Sequence, residues 1–99
     1  MERRDRRPRR KPAREKWFVY LLRCADGSLY TGITKDVKRR CQQHNAGTAS
    51  RYTHSRLPVK MVYQEAAASR SLALKREAAI KAMTRAEKLA LIRLKVKAK

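Results

Sequence analysis

The apolar and polar positions change their pattern sixteen residues into the chain. Residues 1–15 are basic, include two prolines and have almost no apolar side chains, which predicts a disordered basic arm. Residues 17–22 are aromatic or branched, which is typical of a strand. A turn-forming segment at 25–28 leads to a predicted return strand over 29–34. Side chains alternate between the two faces of this hairpin, and both sets are partly apolar. We therefore expect other elements to cover both faces, within one folded domain over 16–97.

A helix is predicted directly after the hairpin. It begins at Asp36, a favourable N-cap residue, and runs to about Asn45. Gly47 lies just beyond this end, where glycine commonly terminates helices. The polar and basic residues 46–58 are predicted to form a loop that ends at Pro58.

One more strand and two helices are predicted in the second half of the chain. The strand covers residues 59–66. Ser69 can cap a helix that runs to about residue 83, and Thr84 can begin another. Glu87 stands three residues after Thr84, which is the capping-box pattern. The resulting order, β-β-α-β-α-α, belongs to the α+β class and contains no internal repeat.

The length of the hairpin loop decides which side chains share a face. A two-residue turn would place Tyr20 and Tyr30 on opposite faces, because side chains alternate along a strand. A three-residue loop at 25–27 pairs Leu22 with Tyr30 and places Gly27 in the left-handed conformation of a bulge. We predict this second register, in which the two tyrosines lie on the same face.

The charge of the chain indicates its class of partner. Lys and Arg number 27 against 8 Asp and Glu, so the formal net charge is +19. Such a protein attracts polyanions, because binding releases the counterions condensed on a phosphate backbone. Nucleic acid is the expected partner, with a ribosome or an anionic membrane as alternatives, and affinity should fall steeply with salt. Charge alone indicates nothing about catalysis.

The cysteine content and the hydropathy pattern exclude several classes of protein. Cys24 and Cys41, without an apolar signal segment, indicate reduced thiols and a cytoplasmic location. No apolar run approaches the length of a membrane span. A structural zinc site needs about four closely spaced ligands, and the sequence has no such cluster.

Arg40 and His44 are candidate functional residues on the first predicted helix. They are four residues apart and therefore lie on one face. Val37 and Cys41 form the neighbouring apolar stripe, which places the pair at the edge of the buried face. The alternative is a solvated arginine beside an incidental histidine.

Glu77 is the most informative of the five acids that follow Trp17. Asp26 serves a turn, whereas Asp36 and Glu87 serve helix starts. Glu77 has apolar residues one helical turn before and after it. A carboxylate on an apolar helix face is costly unless it is paired or binds a metal. A salt bridge to a neighbouring Arg or Lys is the alternative to a functional role.

Two short motifs in the hairpin resemble those of the GIY-YIG nuclease family. The first is present as Phe18-Val19-Tyr20 and the second as Tyr30-Thr31-Gly32, with the tyrosines ten residues apart. The sequence differs from the family pattern at the Gly-Ile of the first motif and at the Ile of the second. Neither difference removes a reactive group.

Three later positions extend the resemblance to residues 17–95. Arg40 matches the catalytic arginine, His44 matches a position held by His or Tyr, and Glu77 matches the metal-binding glutamate. The chain is most similar to small stand-alone bacterial members. It is also similar to the nuclease domains of excision-repair endonuclease and structure-specific junction resolvases. The resemblance implies a three-stranded antiparallel sheet flanked by helices.

The resemblance also implies roles for these side chains. Glu77 would bind one divalent cation, Mg²⁺ or Mn²⁺, that polarises the phosphate. Tyr30 would position or deprotonate the attacking water, and Tyr20 would orient the phosphate or that water. Arg40 would place positive charge on the non-bridging oxygens. His44 would accept a proton from Tyr30 or contact the phosphate.

Further basic and aromatic side chains are predicted to bind the nucleic acid. Phosphate contacts are expected from the basic arm and from Lys35, Arg39, Arg51, Arg56 and Lys75. Tyr52 and His54 could stack on a base, and the alternative for Tyr52 is packing against the sheet. We predict a DNA partner in preference to RNA, no membrane association, and leave the oligomeric state open.

These features predict a metal-dependent endonuclease that hydrolyses phosphodiester bonds, with a role in DNA repair or recombination. Two alternatives remain open. A non-catalytic nucleic-acid-binding module would explain the charge but not the combination of two tyrosines, an arginine and a glutamate. A ribosome-associated or RNA-associated structural protein would use the arm and the basic, amphipathic tail at 88–99.

Overall fold

A three-stranded antiparallel sheet forms the centre of the molecule. The computed structural model describes residues 16–97, and the predicted basic arm lies outside this range. The strands are β1 (Trp17–Arg23), β2 (Leu29–Thr34) and β3 (Lys60–Ala67), in the spatial order β2-β1-β3. The predicted α+β class and strand positions are confirmed.

Four helices flank this sheet in the described part of the chain. They are α1 (Val37–Asn45), α2 (Arg51–His54), α3 (Arg70–Lys81) and α4 (Arg85–Lys97). None of these helices is both long and apolar enough to span a bilayer. The order agrees with the predicted β-β-α-β-α-α, except that the short helix α2 lies within the segment predicted as a loop.

Side-chain caps explain where the helices begin. The Asp36 carboxylate accepts a hydrogen bond from the Arg39 backbone N–H at 3.0 Å, and so begins α1. The predicted capping box of α4 is confirmed. Thr84 N–H donates to Glu87 Oε1 at 2.8 Å, and Glu87 N–H donates to Thr84 Oγ1 at 3.1 Å. Ser50 caps α2 by accepting from the backbone of Thr53.

The predicted hairpin register is also confirmed. Leu22 lies opposite Tyr30, and Tyr20 lies opposite Gly32. Gly27 adopts a φ of 85°, the left-handed conformation that the three-residue loop requires. Tyr20 and Tyr30 therefore project from the same face of the sheet.

Each face of the sheet has its own apolar core. On the face covered by α3, Val19, Leu21 and Tyr63 pack with Ala73 and Ile80. On the face covered by α1, a second core is formed by Tyr20, Leu22, Cys24 and Val59, with Tyr30 and Cys41 packed against it. The candidate tyrosines belong to this second core, so their positions are fixed by its packing.

Candidate active site

Tyr20 lies almost entirely inside the core, and its ring crosses the edge strand β2 at Gly32. A Cβ atom at position 32 would lie 2.5 Å from the Tyr20 hydroxyl oxygen, so only glycine leaves room for the ring. The side chain is 1% exposed. Burial raises the pKa of Tyr20 to about 12, although the neighbouring Arg40 partly opposes the rise. Tyr20 is therefore a neutral phenol at physiological pH.

His44 connects Tyr20 to the short helix α2. Its Nε2 lies 2.9 Å from the Tyr20 hydroxyl, and its Nδ1 lies 2.8 Å from the Thr53 hydroxyl. The Thr53 hydroxyl donates to the backbone carbonyl of Ser50. This leaves its oxygen to accept from Nδ1–H, and Nε2 then accepts the proton of Tyr20. The chain of hydrogen bonds thus sets the histidine tautomer and points the Tyr20 proton away from solvent.

The histidine is more deeply buried than the sequence indicated. It was predicted at the edge of the buried face, but its side chain is fully buried because α2 lies beside it. Burial, followed by the positive charge of Arg40, lowers the pKa of His44 to about 4. Thr53 was not identified from the sequence, although Ser50 and Thr53 have the spacing of a helix cap.

Acidification is expected to weaken the fold through His44. The folded-state pKa of His44 is about 4, below the usual value of 6.5, so the neutral imidazole stabilises the folded state. This stabilisation is complete above pH 6.5 and is lost as the pH falls towards 4. The loss should reach about 3 kcal/mol at most. Denaturant unfolding at several pH values checks this by comparing wild type with His44→Gln. A pH dependence that is the same in both proteins would exclude His44 as its source.

Tyr30 packs between His44 and an aromatic residue of α2. Its ring centroid is 5.1 Å from that of His44 in an edge contact and 6.4 Å from that of Tyr20. On another side it stacks on Tyr52 at 5.9 Å. Tyr30 is only half-buried, so it is the phenol of the pair that solvent or a substrate can approach.

Tyr52 and Arg56 join this aromatic group to the hairpin tip. The Arg56 guanidinium lies 3.9 Å from the Tyr52 ring centroid, and its Nε donates to the Asp26 carboxylate at 3.0 Å. Tyr52 thus packs against the sheet through its contact with Tyr30. This packing is the alternative to base stacking that the sequence left open, and Tyr52 remains 38% exposed. Arg56, predicted as a phosphate contact, is engaged in an ion pair with the turn.

Arg40 is held beside Tyr20 and His44 by a neighbouring amide. Its Nη1 donates to Gln43 Oε1 at 3.0 Å. Its buried Nε–H has no hydrogen-bond partner among the described residues. The positive charge lowers the pKa of both Tyr20 and His44, so Arg40 acts electrostatically on both. An unsatisfied buried donor is costly and indicates a group prepared for a ligand acceptor.

Four of the five acids after residue 16 have structural partners that explain them. Asp26 binds Ser28 and Arg56, Asp36 caps α1, and Glu87 caps α4. Glu65 forms an ion pair with Arg76 at 2.7 Å on the other sheet face. Glu77 is the fifth.

Glu77 combines an ion pair with a small electrostatic effect on Tyr20. Its carboxylate is 17% exposed and lies 3.3 Å from Lys81 Nζ, one turn along α3. The salt bridge considered as an alternative is therefore present. The same carboxylate adds a small contribution to the raised pKa of Tyr20, after burial, Arg40 and Tyr30, although α3 covers the opposite face of the sheet. No group of three or more acidic, His or Cys side chains suited to a metal occurs within residues 16–97.

The remaining predicted contact residues lie at the protein surface or against Trp17. Arg39, Arg51, His54 and Lys75 are exposed. Lys35 lies with its Nζ 5.5 Å from the Trp17 ring centroid. His54 Nδ1 is 3.1 Å from the carbonyl oxygen of Gly47. Their exposure leaves the four side chains accessible to a ligand.

Substitution of Gly32 by alanine should disturb Tyr20 directly. The added Cβ would meet the hydroxyl oxygen at 2.5 Å and Cζ at 2.7 Å, so the buried ring must move away from His44. We expect a destabilisation of about 1–3 kcal/mol, typical of overpacking. Denaturant unfolding of Gly32→Ala, Tyr20→Phe and the double variant gives three changes in the free energy of unfolding. Their departure from additivity measures the coupling between positions 20 and 32. Strictly additive losses would contradict a direct clash.

Comparisons with known proteins identify the family to which the sequence is similar. The family model described as GIY-YIG catalytic domain matches residues 16–90. A UPF0213 protein of Staphylococcus aureus strain Mu3 is 54% identical over 76 residues, which are 77% of this chain and 93% of that protein.

Two structures solved by solution NMR are similar to this fold. A UPF0213 protein from Bacillus halodurans has 40% identity and a TM-score of 0.54, with 81% of this chain and 85% of that chain covered. A protein from E. faecalis has 38% identity and a TM-score of 0.57, with 82% and 86% covered.

Proposed function

Because the chain belongs to the GIY-YIG family of nuclease catalytic domains, we propose that it is a metal-dependent endonuclease that hydrolyses phosphodiester bonds in nucleic acid, preferentially DNA. The observation that supports this proposal most strongly is the clustering of residues from separate elements. Tyr20, Tyr30 and His44 are in mutual contact, and Arg40 and Glu77 both act electrostatically on Tyr20. A role in DNA repair or recombination is part of the proposal.

The two tyrosines have different tasks in this proposal. Tyr20 is buried, neutral and donates its proton to His44, so it holds the geometry of the site. Its oxygen can still accept from a bound water and orient it, but it has no proton left for a phosphate oxygen. Tyr30 is accessible, and once it has lost its own proton to solvent its phenolate oxygen accepts the proton that the attacking water loses. As the water oxygen bonds to phosphorus, the bond to the leaving oxygen breaks, and solvent protonates that oxygen. The products carry one phosphate end and one hydroxyl end.

Arg40 supplies fixed positive charge to the non-bridging oxygens of the phosphate. Gln43 orients its guanidinium before substrate arrives, so little reorganisation is needed during the reaction. His44 remains neutral at physiological pH, because its pKa is lowered to about 4. It therefore acts as a hydrogen-bond acceptor for Tyr20 rather than as a second cation.

A single carboxylate, Glu77, fits a divalent cation that keeps most of its water ligands. Mg²⁺ is bound in this manner by one or two carboxylates together with substrate phosphates, and Mn²⁺ accepts similar oxygen ligands. When bound, such a cation supplies Lewis-acid stabilisation of the phosphate and of the leaving oxygen. Lys81 would need to release Glu77 for this purpose, which is feasible because the Lys81 side chain is 57% exposed.

Nicking assays test the proposed activity. Single-stranded, duplex and branched DNA and a matched RNA are incubated with Mg²⁺, Mn²⁺ or EDTA, with Tyr30→Phe as the control for contaminating nucleases. We expect cleavage only with a divalent cation and a strong reduction in Tyr30→Phe. Binding of these substrates without cleavage under any condition would instead support a non-catalytic binding module.

A further inference from the structure

A cavity of about 350 Å³ adjoins the candidate site between β1, β2 and the start of α1. Its walls combine apolar and charged side chains, principally Trp17, Ile33, Lys35, Asp36, Arg39 and Arg40. Arg40 also belongs to the candidate site, so the cavity begins where the phosphate bound at Arg40 would lie. Its volume is at the lower end of the range of small-molecule sites.

The charged side chains of the cavity favour an anion. Lys35, Arg39 and Arg40 contribute three cations, whereas Asp36 contributes the one carboxylate. This carboxylate already caps α1, where its Oδ1 accepts a hydrogen bond from the Arg39 backbone N–H. Arg39 and Arg40 both line the cavity, so together they can contact neighbouring phosphates of one strand. Arg39 is exposed, which allows its guanidinium to reach a phosphate.

The aromatic wall favours a flat ligand. Trp17 is half-buried at the start of β1, with Lys35 Nζ 5.5 Å and Arg70 Cζ 5.8 Å from its ring centroid. Aromatic rings and cationic groups together form the platforms on which unpaired nucleobases stack in single-strand-binding proteins. Lys35 and Arg70 lie over the Trp17 ring, so one of them would move aside to admit a base. A base within a duplex is covered by its neighbours on both faces and is unavailable for such stacking.

We propose that this cavity binds one unpaired nucleotide next to the phosphate that Arg40 contacts. Its base lies against Trp17, and its phosphate is bound by Arg39 and Lys35. The proposal rests on the proposed nuclease function and adds a substrate class to it, namely strands with an unpaired nucleotide beside the cleaved bond. Fully paired duplex lacks such a nucleotide and should be a poor substrate.

Tryptophan fluorescence tests this subsite independently of cleavage, because Trp17 is the single tryptophan of the chain. The full chain is titrated in EDTA with an oligothymidylate and, separately, with a blunt duplex. Binding of both is followed in parallel by the anisotropy of labelled DNA. We expect saturable quenching by the single strand and little change at equal occupancy by the duplex. Binding of the single strand without quenching, or equal quenching by both, would overturn the proposal.

A pair of charge-matched variants separates the subsite from general attraction to phosphate. Arg39→Gln and Arg93→Gln each remove one exposed positive charge, and Arg93 lies on α4. Arg39→Gln should weaken single-strand binding about fivefold or more, whereas Arg93→Gln should change it less than about twofold. Equal losses would overturn the proposal.

The nuclease proposal can fail separately from the subsite. Quenching without cleavage in any cation would refute the nuclease proposal and leave the subsite intact. Cleavage of paired and unpaired strands at equal rates would refute the subsite and leave the nuclease intact.

Discussion

Replacement of Glu77 by glutamine should reduce metal-dependent cleavage at least about 100-fold, because the cation loses its one protein carboxylate. Nucleic-acid binding should remain unchanged or become slightly tighter, since a negative charge is removed from a surface that binds a polyanion. Single-turnover cleavage rates and anisotropy titrations of the same preparation measure the two effects. Similar cleavage by Glu77→Gln and wild type would remove Glu77 from the mechanism.

Lys81 provides the matched control for this experiment. If Glu77 serves only as the ion-pair partner of Lys81, then Lys81→Gln and Glu77→Gln should have similar effects. If Glu77 binds a cation, Lys81→Gln frees the carboxylate, and cleavage should be maintained or should need less metal. An equal loss in both variants would identify the pair as structural and would favour the non-catalytic reading.

Replacement of Arg40 by glutamine should lower the cleavage rate by roughly 100- to 1000-fold, the usual effect of removing a preorganised charge from the transition state. Arg40→Lys should recover only part of this loss, because an ammonium group cannot reproduce the planar fork that binds Gln43 and a phosphate together. Lys38→Gln, an exposed position on the same helix, is the control for loss of one charge.

A second measurement on Arg40→Gln does not depend on activity. Burial and, to a smaller extent, Arg40 lower the pKa of His44 to about 4, so the variant should raise this pKa modestly while burial keeps it below its usual value. NMR titration of the imidazole signals follows this change. An unaltered His44 pKa would contradict the proximity of the two side chains, whatever happens to the cleavage rate.

The local features of the fold could be predicted from the sequence because each rests on a few neighbouring residues. The three-residue hairpin loop needs a residue in the left-handed conformation, and Gly27 supplies it. The starts of α1 and α4 are fixed by Asp36 and by the Thr84–Glu87 pair. These choices place both tyrosines on one face before any long-range contact is considered.

The contacts that shape the site could not be predicted in this way, because they join distant segments. Thr53 orients His44 from a helix that the polar pattern indicated as a loop. Gly32 is needed where the Tyr20 ring crosses the edge strand, not for a turn. Arg56 has the composition of a phosphate contact, but the fold brings it to Asp26, thirty residues earlier.

The ion pair between Asp26 and Arg56 has a consequence for engineering this scaffold. Contacts run from the hairpin tip through Arg56 and Tyr52 to the ring of Tyr30. An exchange of the tip alone would leave Arg56 without its ion pair, although its hydrogen bond to the Tyr52 carbonyl oxygen would remain, and would weaken the packing of Tyr52 against Tyr30. A hairpin taken from a related protein should therefore be exchanged together with residues 52–56.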